Sequence, residues 1–146
     1  MNYVHIGHDC KIENHVTLVN SAGLAGHVKI DDHATIGVYC GIHQFRYVGS
    51  YSFIAHRASI SKDVPPYLMV VSSPVTSPCG INVEGLKRAG FSTKKIKNLR
   101  KAYKIIYRQG LRLIEAIEKL KTMQKETPEI KKFISLLENS KRGIIR

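Results

Sequence analysis

The sequence predicts a parallel β-helix followed by a smaller α-helical region, and three observations carry that expectation. Six-residue steps from Ile6 land on Ile12, Leu18, Leu24, Ile30, Ile36, Ile42, Val48, Ile54 and Ile60, an aliphatic residue every time. The positions two residues earlier are mostly small or apolar as well, from Val4, Cys10 and Val16 to Ala34, Cys40 and Ala58, with Arg46 and Ser52 breaking the run. After residue 92 the apolar spacing changes to that of an amphipathic helix. A period of six fits neither a helix nor one long alternating strand. A short fixed period marks a solenoid whose repeats bury their faces only by stacking.

Residues 1–66 are read as the coils. Three hexads make one triangular turn, so residues eighteen apart stack at about the ~4.8 Å strand spacing. The register predicts three inward stacks: Ile6, Leu24 and Ile42; Ile12, Ile30 and Val48; Leu18, Ile36 and Ile54. Small residues allow the corners between sides, and glycines such as Gly7, Gly37 and Gly49 are expected to supply positive φ there. The pattern is already under way at Val4. Because solenoids need caps and exposed edges invite pairing, further coils or a partner are expected to cover that first edge.

Asp63-Val64-Pro65-Pro66-Tyr67 is expected to end the solenoid, since two prolines withdraw two ladder donors. Residues 67–91 read as a linking loop through Pro74, Pro78 and the stretch from Gly80 to Gly85. Residues 92–146 then form a helical domain. Ser92 is its first N-cap, and Ile96, Leu99, Tyr103 and Ile106 follow at helical spacing up to Gly110. Leu113, Ala116, Ile117 and Leu120 mark a second helix. Thr127-Pro128 opens a third, with Ile130, Phe133, Ile134 and Leu137 on one face.

Composition narrows the function classes. The chain has 146 residues, one domain's worth of material. No apolar run approaches the ~20 residues of a membrane span, and the N-terminus lacks a signal-peptide pattern. Three cysteines are an odd number and argue against a disulfide framework, so a cytoplasmic setting is expected. The net charge of +12 is concentrated in residues 83–146, which hold eighteen Lys/Arg against six Asp/Glu, whereas residues 1–82 hold five of each. Such a face attracts an acidic partner. Nucleic acid is the weakest candidate, because residues 83–146 show no recognition motif and only two tyrosines and two phenylalanines for stacking.

All seven histidines precede residue 57. Folding the chain on an eighteen-residue coil puts His8, Gly26 and Gln44 in one column, with Asp9, His27 and Phe45 beside it and His43 on the other flank. His5 lies near the preceding corner. His15 and His33 form a separate column with Tyr51. Several imidazoles converging on one patch indicate a site. A metal is disfavoured by ligands two coils apart, so general acid–base catalysis is expected, with no cofactor. His8 would take a proton, Asp9 would orient its ring, and Gly26 would offer a bare backbone N–H to a developing oxyanion.

At these residues the chain resembles a known family. His5-Ile6-Gly7-His8-Asp9-Cys10, Leu24-Ala25-Gly26-His27-Val28, Ile42-His43-Gln44-Phe45, Asp63 to Tyr67, Asn82 to Arg88 and the final Arg142-Gly143-Ile144-Ile145-Arg146 are all similar to UDP-N-acetylglucosamine O-acyltransferase, the first enzyme of lipid A synthesis. The resemblance implies a left-handed sense for the β-helix. It implies transfer of a 3-hydroxyacyl group from acyl carrier protein to the 3-hydroxyl of UDP-N-acetylglucosamine, with His8 as base, Asp9 supporting it and Gly26 as oxyanion donor. His5, His27, His43 and Gln44 would line the sugar and acyl site. Asn82, Glu84 and Arg88 would reach the nucleotide from a neighbouring subunit of a homotrimer. Acyl carrier protein, being acidic, would be the partner of the basic helices. The family commonly has a second arginine where Ala89 stands here, and further coils before the segment seen here, so the resemblance is to a C-terminal portion. The competing expectation is a fragment that keeps the trimer and the carrier surface but turns nothing over.

Overall fold

The structure, a computed structural model, describes all 146 residues. Ten two-residue strands wind through the solenoid: β1 (His5–Ile6), β2 (Lys11–Ile12), β3 (Thr17–Leu18), β4 (Gly23–Leu24), β5 (Lys29–Ile30), β6 (Thr35–Ile36), β7 (Gly41–Ile42), β8 (Tyr47–Val48), β9 (Phe53–Ile54) and β10 (Ser59–Ile60). They stack as parallel ladders β1-β4-β7-β10, β2-β5-β8 and β3-β6-β9. Register partners lie eighteen apart, as in Ile6 with Leu24 and Leu24 with Ile42. The three predicted stacks are therefore in place. Leu24, Ile30, Ile36, Val48 and Ile54 are fully buried, while Ile6, in the first coil, is 50% exposed.

The corners are made differently from expectation. At every corner the backbone enters the left-handed region, with φ between 56° and 61° at ten residues from Tyr3 to Arg57, and none of these is glycine. Left-handed backbone costs an ordinary residue roughly 1–2 kcal/mol. From Ser21 onward each corner N–H is satisfied by the coil before it, as in His27 N to His8 O (2.9 Å) and Phe45 N to Gly26 O (3.1 Å). Gly7, Gly37 and Gly49 serve close approach instead. A Cβ on Gly7 would lie 2.7 Å from the carbonyl carbon of Ala25, and one on Gly49 would lie 2.5 Å from Pro66 N.

Nor do the prolines stop the ladder. Val64 N donates to Tyr47 O and Tyr67 N to Ser50 O, so the bonds straddle Pro65 and Pro66. The expected linking loop contains β11 (Leu68–Val71), β12 (Ser77–Ile81) and a short helix, α1 (Val83–Arg88). β11 extends the third ladder, pairing Met69 with Phe53, and β12 returns antiparallel to it. The helical region holds α2 (Thr93–Tyr107), α3 (Leu113–Met123) and α4 (Ile130–Asn139). Ser92 caps α2, its side chain accepting from Lys95 N. α4 starts two residues after Pro128, because that proline opens a tight turn in which Lys131 N donates to Pro128 O.

Solenoid and helices share a core that runs from Ala22 to Ile145. The C-terminal tail returns to the last coil, where Asp63 N donates to Gly143 O and Ile145 N to Asp63 O. No helix is long and apolar enough to cross a membrane.

Candidate active site at a corner of the solenoid

The corner between the first two ladders carries Asp9, His27 and Phe45, one below the other. Its αL backbone turns each side chain outward along the stacking direction. The His27 and Phe45 rings lie 4.6 Å apart at 7°, and His8 meets His27 edge-on at 5.0 Å and 88°. His8 Nδ1 is 2.9 Å from Asp9 Oδ2, and His27 Nε2 is 3.8 Å from the same oxygen. With Nδ1 committed to the carboxylate, His8 presents Nε2 to a reactant. The Asp9 carboxyl is held below its usual range, first by the hydrogen bond with His8 and then by the charge of His27.

Gly26 lies under the His8 ring. A Cβ there would stand 2.7 Å from His8 Nε2, so only glycine leaves the imidazole its place. The Gly26 carbonyl accepts from Phe45, whereas its N–H donates no hydrogen bond within the chain. An unbonded donor and an uncommitted imidazole nitrogen thus occur together on adjacent coils. That pairing suits attack on a carbonyl: one group removes a proton and the other receives the negative charge that develops.

The remaining predicted residues are distributed unevenly. His5 is exposed on β1 above Gly23 and Gly41, whose missing side chains leave a bare strip below it. His43 and Gln44 are exposed on the third coil, and their side chains make no hydrogen bond to the His8 group; the Gln44 carbonyl accepts from Arg46 Nε. Asn82 is buried as the cap of α1. Its Oδ1 accepts from Gly85 N and its Nδ2 donates to Tyr51 O. Glu84 pairs with Lys87 at 3.2 Å on the exposed side of α1, and Arg88 is exposed without an ion pair. α1 packs at the next corner, the one bearing His15, His33 and Tyr51, so within one chain Glu84 and Arg88 do not meet His8.

The sequence argument against a metal assumed ligands two coils apart. In the structure His8, Asp9 and His27 come from adjacent coils and place their ligand atoms within 4.8 Å of one another. Two imidazoles and a carboxylate at that span could accept a divalent transition metal, in competition with proton transfer by His8. A feature that sequence reasoning missed is the buried pair of Arg46 and Asp63 beside this corner. Its one signal was the arginine in a column of small residues.

The basic surface is concentrated on α2, where Lys94, Lys97, Lys101 and Lys104 are exposed and enter no ion pair. Some other cations are matched locally, as in Lys95 with Glu129 at 2.7 Å and Lys121 with Glu118 and Glu138.

Comparison with known proteins agrees with this arrangement. The chain is 41% identical over 146 residues to the acyl-(acyl-carrier-protein):UDP-N-acetylglucosamine O-acyltransferase of Alkalilimnicola ehrlichii, and 44% identical to that of Pseudomonas syringae pv. tomato. Each match takes in all of this chain and 56% of the relative, so the chain spans about half the length of the curated relatives it matches. The solved UDP-N-acetylglucosamine acyltransferase of Francisella novicida superposes with a TM-score of 0.97 at 52% identity, over all of this chain and 53% of that one. The profile of the family described as UDP N-acetylglucosamine O-acyltransferase, domain 2, matches residues 63–145. With solenoid register, helical region and sequence in agreement, the chain belongs to the UDP-N-acetylglucosamine O-acyltransferase family.

Proposed function

We propose that this chain carries the catalytic corner of an acyl transfer from acyl carrier protein to the 3-hydroxyl of UDP-N-acetylglucosamine, the opening step of lipid A synthesis. The observation that carries the reading is the pairing of His8, oriented by Asp9 at 2.9 Å, with the unbonded N–H of Gly26 beneath it. His8 Nε2 takes the proton of the sugar hydroxyl, whose oxygen attacks the thioester carbonyl. The Gly26 N–H holds the resulting oxyanion. Collapse forms the ester and expels the carrier's thiolate, which takes the proton back from His8.

Substrate contacts follow from position. His5, His27, His43 and Gln44 surround this corner on successive coils and are assigned to the sugar and acyl groups. Because α1 sits at a different corner, Glu84 and Arg88 serve the nucleotide only if they come from another copy, so the site lies between the chains of a homotrimer. Asn82, capped into α1, acts by fixing the helix that carries them. The unpaired lysines of α2 suit an acidic carrier protein, and the three free cysteines suit the cytoplasm.

The test compares His8→Ala with His15→Ala, both corner histidines, in an acyl-transfer assay. The first should lose about 10²–10⁴-fold in rate, the usual contribution of general base catalysis, at unchanged melting temperature. The second should keep its rate. Equal rates in both variants remove His8 from the role.

A second reading, a module that binds the carrier and turns nothing over, draws on the unpaired lysines of α2. It requires carrier binding that weakens with salt while transfer is absent from the wild-type chain.

A further inference from the structure

A cleft of about 740 Å³ lies beside the histidine corner, between the outer face of the β2-β5-β8 ladder and α4 with the tail that follows it. That volume falls in the range of small-molecule sites, roughly 300–1,000 Å³. Lys11 and Lys29, register partners on adjacent strands, form its floor. Lys141 and Arg142 form the facing wall, on a tail held in place by Lys62 Nζ to Arg142 O (2.9 Å) and by Asp63 N to Gly143 O (3.1 Å). None of these four cations enters an ion pair with a carboxylate of the chain.

Arg46 lines the cleft from behind and is only 3% exposed. Its Nε donates to Gln44 O at 3.1 Å, but its Nη1 comes no closer than 3.9 Å to Asp63 Oδ1, and neither terminal nitrogen makes a hydrogen bond. What exposure its terminal nitrogens keep leaves their unused donors open to an occupant of the cleft. The nearby carboxylates are largely committed elsewhere. Asp63 accepts from Tyr47 N (3.0 Å) and from Ser140 Oγ (2.7 Å), and Asp31 accepts from Tyr47 Oη (2.5 Å). Glu13 alone remains free among the acids of the cleft. The deficit is therefore one of acceptor oxygens, with a planar fork and several ammonium groups converging on it. Phosphate matches that chemistry.

We propose that this cleft binds the phosphate of a phosphate ester and thereby holds the rest of the ligand at the histidine corner, since His27 and Phe45 form its rim. The proposal takes from the acyl-transfer reading only the identity of the two sources. These are the diphosphate of a sugar nucleotide and the phosphodiester that joins a carrier protein to its thiol arm.

The experiment measures binding, not turnover, and so separates the two ideas. Pyrophosphate is titrated into the wild-type chain, into a Lys29→Glu/Arg142→Glu double variant, and into Lys97→Glu on α2 as a charge-reversal control away from the cleft. The double variant should bind about tenfold more weakly or worse, as expected for loss of two charge-assisted contacts. Lys97→Glu should change binding by less than about twofold, since an exposed charge on another element is screened. Arg46→Lys, which keeps the charge and removes the fork, should fall between them; if it fails to fold, the double variant still decides. Repeating the titration with UDP-N-acetylglucosamine against uridine, and with 4′-phosphopantetheine against pantetheine, identifies the source as the phosphorylated compound whose binding the double variant loses. Absence of pyrophosphate binding by wild-type protein, or equal weakening by Lys97→Glu, overturns the site. His8→Ala should bind pyrophosphate like wild type, so failure of the catalytic reading leaves this one standing.

Discussion

Two corners of the same solenoid invite comparison. The corner at Asp9, His27 and Phe45 and the corner at His15, His33 and Tyr51 share an αL backbone, with φ between 58° and 61° at all six residues. Both stack rings at the coil spacing: 4.6 Å for His27 on Phe45, and 4.7 Å for His15 on His33 and for His33 on Tyr51. Their chemistry diverges at the turn residue just before each corner position. On the second corner Asp32 accepts from Asn14 N (3.0 Å) and Ser50 accepts from Lys132 Nζ (3.1 Å), so the polar groups satisfy one another. Tyr67, Phe91 and α1 then close over Tyr51. On the first corner the same turn position holds His8 and Gly26, which leave an imidazole nitrogen and an amide proton uncommitted. An invariant backbone thus carries either scaffold or chemistry according to one residue per coil.

The sharpest way to break that contrast is to exchange the turn residues' properties. Gly26→Ala would push its methyl into the His8 ring, 2.7 Å away, while the backbone itself needs no left-handed φ there. Acyl transfer should fall by about 10²–10⁴-fold, the worth of general base catalysis, because the methyl displaces the His8 imidazole while the backbone N–H stays. Asp32→Ala, the matched change on the other corner, should leave transfer intact and reduce stability by about 1 kcal/mol through the lost bond to Asn14. Rates and thermal melts of both variants decide it. Equal catalytic loss in the two would mean that the corners are not distinct.

A smaller effect separates the corners by their supports. Tyr67 is fully buried at the closed corner, and its hydroxyl donates to Glu129 O at 2.9 Å. Tyr67→Phe should reduce stability by about 1 kcal/mol, the net worth of one such bond plus the unmet carbonyl, with transfer unchanged. Phe45, 54% exposed at the open corner, has no such anchor, and Phe45→Leu should leave the melt almost where it was. A larger loss in Phe45→Leu than in Tyr67→Phe would reverse the assignment of support.

How much of this was legible beforehand depends on range along the chain. The inward stacks followed from one residue in six, because each aliphatic has the same task in every coil. The column containing Asp9 and His27 followed from the same arithmetic. A local turn argument predicts positive φ at Gly7, Gly37 and Gly49, whereas the need for glycine there comes from the neighbouring coil's backbone. Pro65 and Pro66 were read as a stop by counting donors at those two residues, yet the bonds that matter belong to Val64 and Tyr67 on either side. The side chain of Asn82 caps α1 and reaches Tyr51, thirty-one residues away, a pairing that no local pattern announces. Asp63 comes beside Arg46 by coil stacking, and Ser140 of the helical region then donates to its carboxylate across 77 positions. Contacts of that kind have no local signature.

The mildest prediction concerns acid. Burial raises the tendency of Glu129 to hold a proton, but its hydrogen bond and charge contact with Lys95 at 2.7 Å outweigh that and bring its carboxyl below the usual range. A carboxyl that is more acidic folded than unfolded stabilises the fold at pH values above its unfolded pKa. That contribution is lost as pH falls through the folded value, because the folded state must then take up a proton that the unfolded state already holds. Glu129 belongs to the support of the closed corner, through its backbone contact with Tyr67. Asp9, also held low, stands at the open corner with its side chain 66% exposed, where water screens the pair and little stability is at stake. Lys95→Ala should therefore reduce stability modestly near neutral pH, by no more than about 1 kcal/mol, and the difference from wild type should shrink as pH falls below the carboxyl's ordinary value of 4.5. His8→Ala, which removes the partner of Asp9, should show no such pH-dependent gap. Melting curves of the two variants against wild type across that range test it: a gap for Lys95→Ala that persists in acid would mean that the lysine contributes through packing of its stem, with no electrostatic part.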